Sequence, residues 1–427
     1  MRVGSGGDGE SRPSRPGYDR LTLALVVALG LLISRRPDAF FLPQFYAEDG
    51  AVWYQQAYND GILHSLTINY AGYLQVLPRM VAAVSLLLPL PAAPWLFNAV
   101  GFALLLAPVA FLVTRRLDHL APTSPGKALL GLAYVGLPAA TELHVSLTNS
   151  QWHLALLAFL VIIARPPARA PWAVFDIATV LLCGLSGPFC LLLTPIAAVR
   201  WLQVRRRLAA VLAVLLAACS IVQLLFLSTG ARQGGSHLGA TASLLVQILA
   251  GRVFVSALAG EHGLSVLLTS PAWTSHALPV VALAAGLGLL AVAVVRGGSE
   301  LRLFLLFGAL MTAAGLVSPL AGPSDHAQWP LLLVGAGERY FFIAVLGFLA
   351  VLVWLASRPN WIGLRAVALG GLGLFFLVGM PADWTYPPFA DTGFGVQAAA
   401  FNQLEAGQQM TFQLNPPGWS MTLVKRP

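Results

Sequence analysis

The run PWLFNAVGFALLLAPVAFLV, Pro94–Val113, is twenty residues long and carries no charge. A helix rises about 1.5 Å per residue, so this run reaches across roughly 30 Å, the depth of a bilayer's hydrocarbon core. LAAVLAVLLAACSIVQLLFL (Leu208–Leu227) and FFIAVLGFLAVLVWL (Phe341–Leu355) repeat the pattern. Lipid offers no partner to an open backbone amide, so such blocks are expected to be helices.

The rest of the chain agrees. Its 427 residues are 57% hydrophobic and only 10% charged, whereas soluble domains carry about a quarter charged residues. A core cannot hide this much apolar surface, and the expected class is an all-α integral membrane protein. Hydropathy predicts about eleven spans, at 18–34, 94–113, 128–142, 150–164, 172–186, 188–202, 207–228, 277–295, 302–320, 340–357 and 361–379. Residues 1–17 are polar and expected to be a disordered cytoplasmic terminus, 18–379 the membrane body, and 380–427 a small extracytoplasmic tail. The apolar run after residue 17 lacks a small-residue cleavage site and reads as an anchor.

The net charge of +8 raises nucleic acid as a partner, but the distribution argues against it. Most of the 25 Lys and Arg sit in short clusters at one set of span ends, among them Arg115, Arg116, Lys127, Arg165, Arg200, Arg205, Arg206 and Arg207. Placed in the cytoplasm, these clusters obey the positive-inside bias and leave the C-terminus outside. Most of the 17 acids then fall outside, with long outer loops at 35–93, 229–276 and 321–339. GYLQVLPRMVAAVSLLLPLPAAP (Gly72–Pro94) is broken by four prolines and reads as an interfacial helix of the outer face. Loop helices and the tail form the expected outer cap. Cys183, Cys190 and Cys219 lie in apolar segments and read as buried free thiols. Abundant Ala, Gly and Arg with only Lys127 and Lys425 as lysines point to a bacterial plasma membrane.

Chemistry-bearing side chains collect on the outer face. FYAEDGAVWYQQAYNDG (Phe45–Gly61) pairs Glu48 with Asp49 ahead of an amphipathic helix. Asp49 could simply cap that helix, or the pair could take a proton or hold a metal. Trp53 and the tyrosines around it suit an interfacial belt and equally a sugar ring. TELHVSLTNSQWHLAL (Thr141–Leu156) packs Glu142, His144, Asn149, Gln151, Trp152 and His153 into a short outer turn, a candidate site lining. GAGERYFF (Gly335–Phe342) places Arg339 and Tyr340 where a span begins; Arg79, Arg232 and Arg252 read as surface anchors or weaker anion ligands. CGLSGPF (Cys183–Phe189) reads as a hinge, and Asp176 as a helix-start acid near the cytoplasmic surface. In the tail, GQQMTFQLNPPGW (Gly407–Trp419) reads as turn, strand and turn, with Trp384, Tyr386, Phe389 and Trp419 as a lid or as packing.

A first span, a long outer loop with an acidic motif, an amphipathic helix and an interfacial helix together resemble the GT-C superfamily of membrane glycosyltransferases. The resemblance implies transfer of a sugar from a polyprenyl-phosphate donor to an extracytoplasmic glycan, lipid or protein. It makes Asp49 the base, with Glu48 second, and gives the donor phosphate to Arg339 or Arg79. His144, Asn149, Gln151, Trp152, His153, Tyr340 and Trp53 then line the substrate site. The motif is Glu-Asp-Gly rather than the double Asp of some members, which leaves open which acid acts. No cofactor is fixed; a divalent metal shared by the acids with His144 and His153 is one open reading. The alternatives are a lipid or glycan transporter or flippase, which needs acids in mid-span, and a non-catalytic subunit of an envelope-assembly complex.

Overall fold

A computed structural model describes residues 16–120, 124–144, 146–228, 237–323 and 325–427. Arg232, like residues 1–15, lies outside these. The first helix, Pro16–Arg35, begins within the stretch expected to be disordered.

The architecture is that of a mostly helical membrane protein. Six described helices are long and apolar enough to cross a membrane: Leu90–Leu112, Arg207–Ser228, Ala242–Leu268, Ala277–Arg296, Ser299–Val317 and Ile362–Ala382. Shorter apolar helices, among them Ser150–Ile163, Ala170–Gly184, Phe189–Val204 and Phe342–Ala356, pack between them. Two of the short ones, Ser150–Ile163 and Phe342–Ala356, are the most deeply buried. Every described residue of Ser150–Ile163 except Leu160 is buried, whereas Ala277–Arg296 buries only a narrow stripe. A helix surrounded by other helices need not match the bilayer's depth alone. Aromatic rings fill the centre, with Phe159 stacked on Phe307 and Phe254 edge-on to Phe348.

Two ends of the bundle differ in chemistry. At the basic end Arg116 forks onto Asp176 with both bonds at 2.7 Å, Lys127 meets Asp118 at 2.6 Å, and Arg200 reaches Glu300 and the Ile163 carbonyl, each at 3.0 Å. Asp176 is therefore a buried, paired acid near this end. At the opposite end Arg35 binds four carbonyls, those of Val135 (2.6 Å), Leu137 (2.9 Å), Asp383 (3.0 Å) and Trp384 (3.2 Å). A buried guanidinium satisfied by carbonyls ties three chain segments into one knot.

The stretch read as an outer loop at 229–276 contains the apolar helix Ala242–Leu268, which loop-based counting missed. Its first turn and its Gly260 kink nevertheless meet the same end of the bundle. Ser243 bonds His276, just before Ala277–Arg296 (2.7 Å), and at its Gly260 kink the Glu261 amide donates to Asp383 (2.6 Å).

The tail adds a small β-element to the helical body, where a strand was expected. Gln409–Gln413 pairs antiparallel with Ser420–Val424, so the expected single strand is half of a hairpin. Phe412, Met421 and Leu423 point into the core beside Phe394 and Phe401. Asn59 and Gln55 occupy the hairpin's open edge: Asn59 donates to the Thr422 carbonyl (2.8 Å), and Gln55 accepts from its amide (2.7 Å). Tyr386 is buried against Arg35 and His144, so this residue is packing rather than a lid.

Candidate functional site

The Glu-Asp-Gly motif is held from two sides. Ala47, in left-handed conformation (φ 48°), donates to the Asn415 carbonyl in the tail. Gly50 is required because a Cβ there would meet Leu414 Cδ1 at 2.7 Å and Phe45 at 3.0 Å. From the other side, Asp49 grips the 141–149 turn. Its carboxylate accepts from the Leu147 amide (3.1 Å), the Thr148 amide (2.9 Å) and the Thr148 hydroxyl (2.8 Å). That hydroxyl in turn accepts from Trp53 Nε1 at 2.8 Å. Asp49 is only 1% exposed, and burial pushes its carboxyl up to about 7 against the pull of these donors.

Asp49 therefore caps no helix of its own. The segment Asp49–Tyr54 is a π-helix turn without a side-chain cap, continuing into Gln55–Asn59. π turns are frequent at functional sites. Three donors, two amides and a hydroxyl, occupy most of the lone-pair positions of the Asp49 carboxylate, which is turned into the protein and not toward solvent. Glu48 is half-buried and accepts from the Tyr70 hydroxyl at 3.2 Å.

The two arginines exchange standing. Arg339 forms an ion pair with Glu142 and donates to the Leu320 carbonyl (2.6 Å), so its fork is occupied. Arg79 is not a surface anchor but fully buried, stacked 4.9 Å over Trp53, with Gln56 Oε1 its hydrogen-bond partner at 2.8 Å. Its Nε and Nη2 have no partner, and no described acid pairs with it. Arg252 is also buried and bound to Glu261.

The helix bearing Arg79, Val76–Ser85, is docked end-on. Its first amides donate to the Leu185 carbonyl (3.1 Å) and to Ser186 Oγ (2.9 Å). The Cys183–Phe189 stretch is thus a docking strap as well as a hinge. Gly187 sits at φ 118°, where a Cβ would collide with Gln151 Oε1. Gln151 and Trp152 then face the same region, Trp152 packing edge-on to Phe189 (4.9 Å) and Tyr340 (5.8 Å).

Among the described residues eleven buried side-chain polar atoms lack a partner, and six belong to this one neighbourhood: Gln75 Oε1, Arg79 Nε and Nη2, Glu142 Oε2, Gln151 Oε1 and Trp152 Nε1. Buried polar groups are nearly always satisfied, so such a concentration is where water or a polar ligand has partners to supply. It offers cationic and neutral donors alongside acceptors.

Other expected lining residues are structural. His144 Nε2 meets the Leu32 carbonyl (3.1 Å), and burial holds its imidazole well below the usual range, hence neutral. His153 is clamped between Tyr134 (2.8 Å) and the Leu143 carbonyl (3.1 Å). Asn149 braces the turn through the Glu142 carbonyl (2.8 Å). The Tyr340 hydroxyl accepts from the Leu320 amide at 2.9 Å. Glu338 lies beneath, accepting from the Glu142 amide (3.2 Å), and burial raises it to about 7. No three His, Cys, Asp or Glu side chains gather as metal ligands among the described residues.

Sequence reasoning missed Thr148, Tyr70, Gln56 and Gln75. Gln75 precedes the helix and bridges Ser186, so helical periodicity does not mark it, and Thr148 and Tyr70 carried no signal either. No family model matches the chain, and no curated protein matches it either.

Proposed function

We propose that this protein is a bacterial plasma-membrane glycosyltransferase resembling the GT-C enzymes, moving a sugar from a polyprenyl-phosphate donor to an extracytoplasmic acceptor. The observation that carries this reading is the cluster of unpartnered buried polar atoms beside Glu48. A phosphosugar matches it: phosphate oxygens accept from Arg79 and Trp152, and sugar hydroxyls donate to Gln75, Gln151 and Glu142.

In this reading the base is Glu48, and Asp49 is the bracket that positions it. Glu48 takes the proton of the acceptor hydroxyl, and the acceptor oxygen attacks the anomeric carbon. The carbon–oxygen bond to the lipid phosphate breaks, and the phosphate leaves as an anion against Arg79. The chain crosses the membrane eleven times with its N-terminus in the cytoplasm. The basic end is cytoplasmic, and Ala242–Leu268 stays on the outer side, as its contacts at Ser243 and Glu261 support.

The test is glycan and glycolipid profiling of cells carrying wild type, Glu48→Gln, Arg79→Gln or a deletion, with membrane abundance checked. Loss of one sugar-bearing species with accumulation of its lipid-linked precursor in both variants is the expected result. If the deletion changes a glycan while both variants leave it intact, transfer at this site is wrong and a transporter or scaffold role replaces it.

A further inference from the structure

A cavity lies at the basic end, remote from the Glu-Asp-Gly motif. It encloses about 590 Å³ between the helices Leu90–Leu112, Ser124–Val135, Ser150–Ile163, Ser299–Val317 and Phe342–Ala356. That volume falls inside the range of roughly 300–1,000 Å³ common to small-molecule sites. Val109, Leu130, Leu160, Phe304, Leu346 and Val353 supply apolar walls, while His119, Glu300, Ser357 and Arg358 give it a polar, charged side.

The charge there is positive on balance. Glu300 is neutralised by Arg200 at 3.0 Å and takes the Ser299 hydroxyl at 3.0 Å. Arg358 is exposed, stacked 5.0 Å over Trp354, and forms no ion pair among the described residues. His119 Nε2 meets the Ile163 carbonyl (3.2 Å), leaving Nδ1 buried without a partner. As Nε2 carries the proton, Nδ1 is an acceptor suited to a hydroxyl. Apolar walls, an unpaired guanidinium and a lone hydroxyl acceptor together describe the two ends of an anionic lipid.

We propose that this crevice binds one acyl chain of an anionic, hydroxyl-bearing phospholipid, whose phosphate lies against Arg358. The chain fills the space between Leu160 and Leu346 and displaces no protein contact. This site is independent of the glycosyl-transfer reading.

Gly131 provides the test, because a Cβ there meets Leu112 and Val109 only at 4.0 Å. Gly131→Leu fills the crevice without a backbone clash, and Ala350→Leu, on the opposite wall, is a second blocker should the first misfold. The purified full chain in mild detergent is irradiated with phosphatidylglycerol carrying a diazirine in its acyl chain, then digested and mapped by mass spectrometry. Phosphatidylcholine with the same chain is run in parallel. Labelling should concentrate on peptides spanning 153–163 and 346–354 rather than on lipid-facing 280–295, and should fall about tenfold in either blocked variant. Arg358→Gln should bring phosphatidylglycerol labelling down to the phosphatidylcholine level. Labelling spread equally over 280–295, or unchanged in both blocked variants, overturns the site. Equal labelling by the two lipids in wild type overturns the anionic headgroup.

Discussion

The carboxylate of Asp49 holds both the amide and the hydroxyl of Thr148, 99 positions further along the chain. This fork fixes the first loop to the 141–149 turn and so sets where Glu48 points. It makes Asp49 an architectural residue even though it lies within an acidic motif.

Asp49→Ala leaves the Leu147 and Thr148 amides buried without acceptors, at about 1–3 kcal/mol each. We expect a loss of roughly 3 kcal/mol or more and a clear fall in Tm. Asp49→Asn keeps one acceptor but turns an amide donor toward another donor, so it should recover only part. The buried thiols of Cys183, Cys190 and Cys219 report unfolding directly through a thiol-reactive dye. A variant as stable as wild type would refute the bracket role.

Glu338 gives a pH dependence of known sign. Its folded carboxyl is raised to about 7, from an ordinary 4.5, chiefly by burial. Between those values the folded protein holds more proton than the unfolded chain, so its contribution is present below about pH 4.5 and is lost as pH rises through about 7. Asp49 acts in the same direction, whereas His144, held neutral by burial, acts oppositely below its ordinary range. The clean measurement is therefore a difference. The Tm of wild type minus that of Glu338→Gln should fall from pH 5 to pH 8, and a constant difference disproves the assignment.

Glu142 and Arg339 form a partly exposed ion pair, 26% and 19% accessible. Removing either alone strands the other, so Glu142→Gln and Arg339→Gln should each destabilise. The double substitution should cost less than their sum by about 1 kcal/mol. Additivity would mean the pair contributes nothing.

Arg79→Gln should reduce sugar transfer by about 100-fold or more at normal abundance, mainly in kcat. Arg79→Lys should recover little, because a point charge cannot replace a planar fork. Gly187→Ala should also impair this site, by driving Gln151 out of position. Wild-type turnover in Arg79→Gln would remove Arg79 from the site.

The sequence by itself determined the class, because twenty uncharged apolar residues have few places to go other than lipid or a helical core. It also determined that the basic clusters share one end of the bundle and that the three thiols are buried, since both follow from composition within single segments. Proline and glycine likewise marked the docking strap at Leu185–Gly187, though not its function. What only the tertiary structure decided are the roles within the site. Arg339 and Arg79 look alike in sequence; a carboxylate reached Arg339, and among the described residues none reached Arg79. Glu48 and Asp49 are neighbours, yet one faces a tyrosine hydroxyl and the other is held by two amides and a hydroxyl of another turn. The second hairpin strand and the helix at Ala242–Leu268 were locally legible, since the first pairs with the strand just before it and the second is itself long and apolar; only their docking onto Gln55, Asn59 and Asp383 needed the tertiary structure. Local periodicity reports which face of an element is apolar, but a side chain's role depends on which long-range partner removes it from solvent.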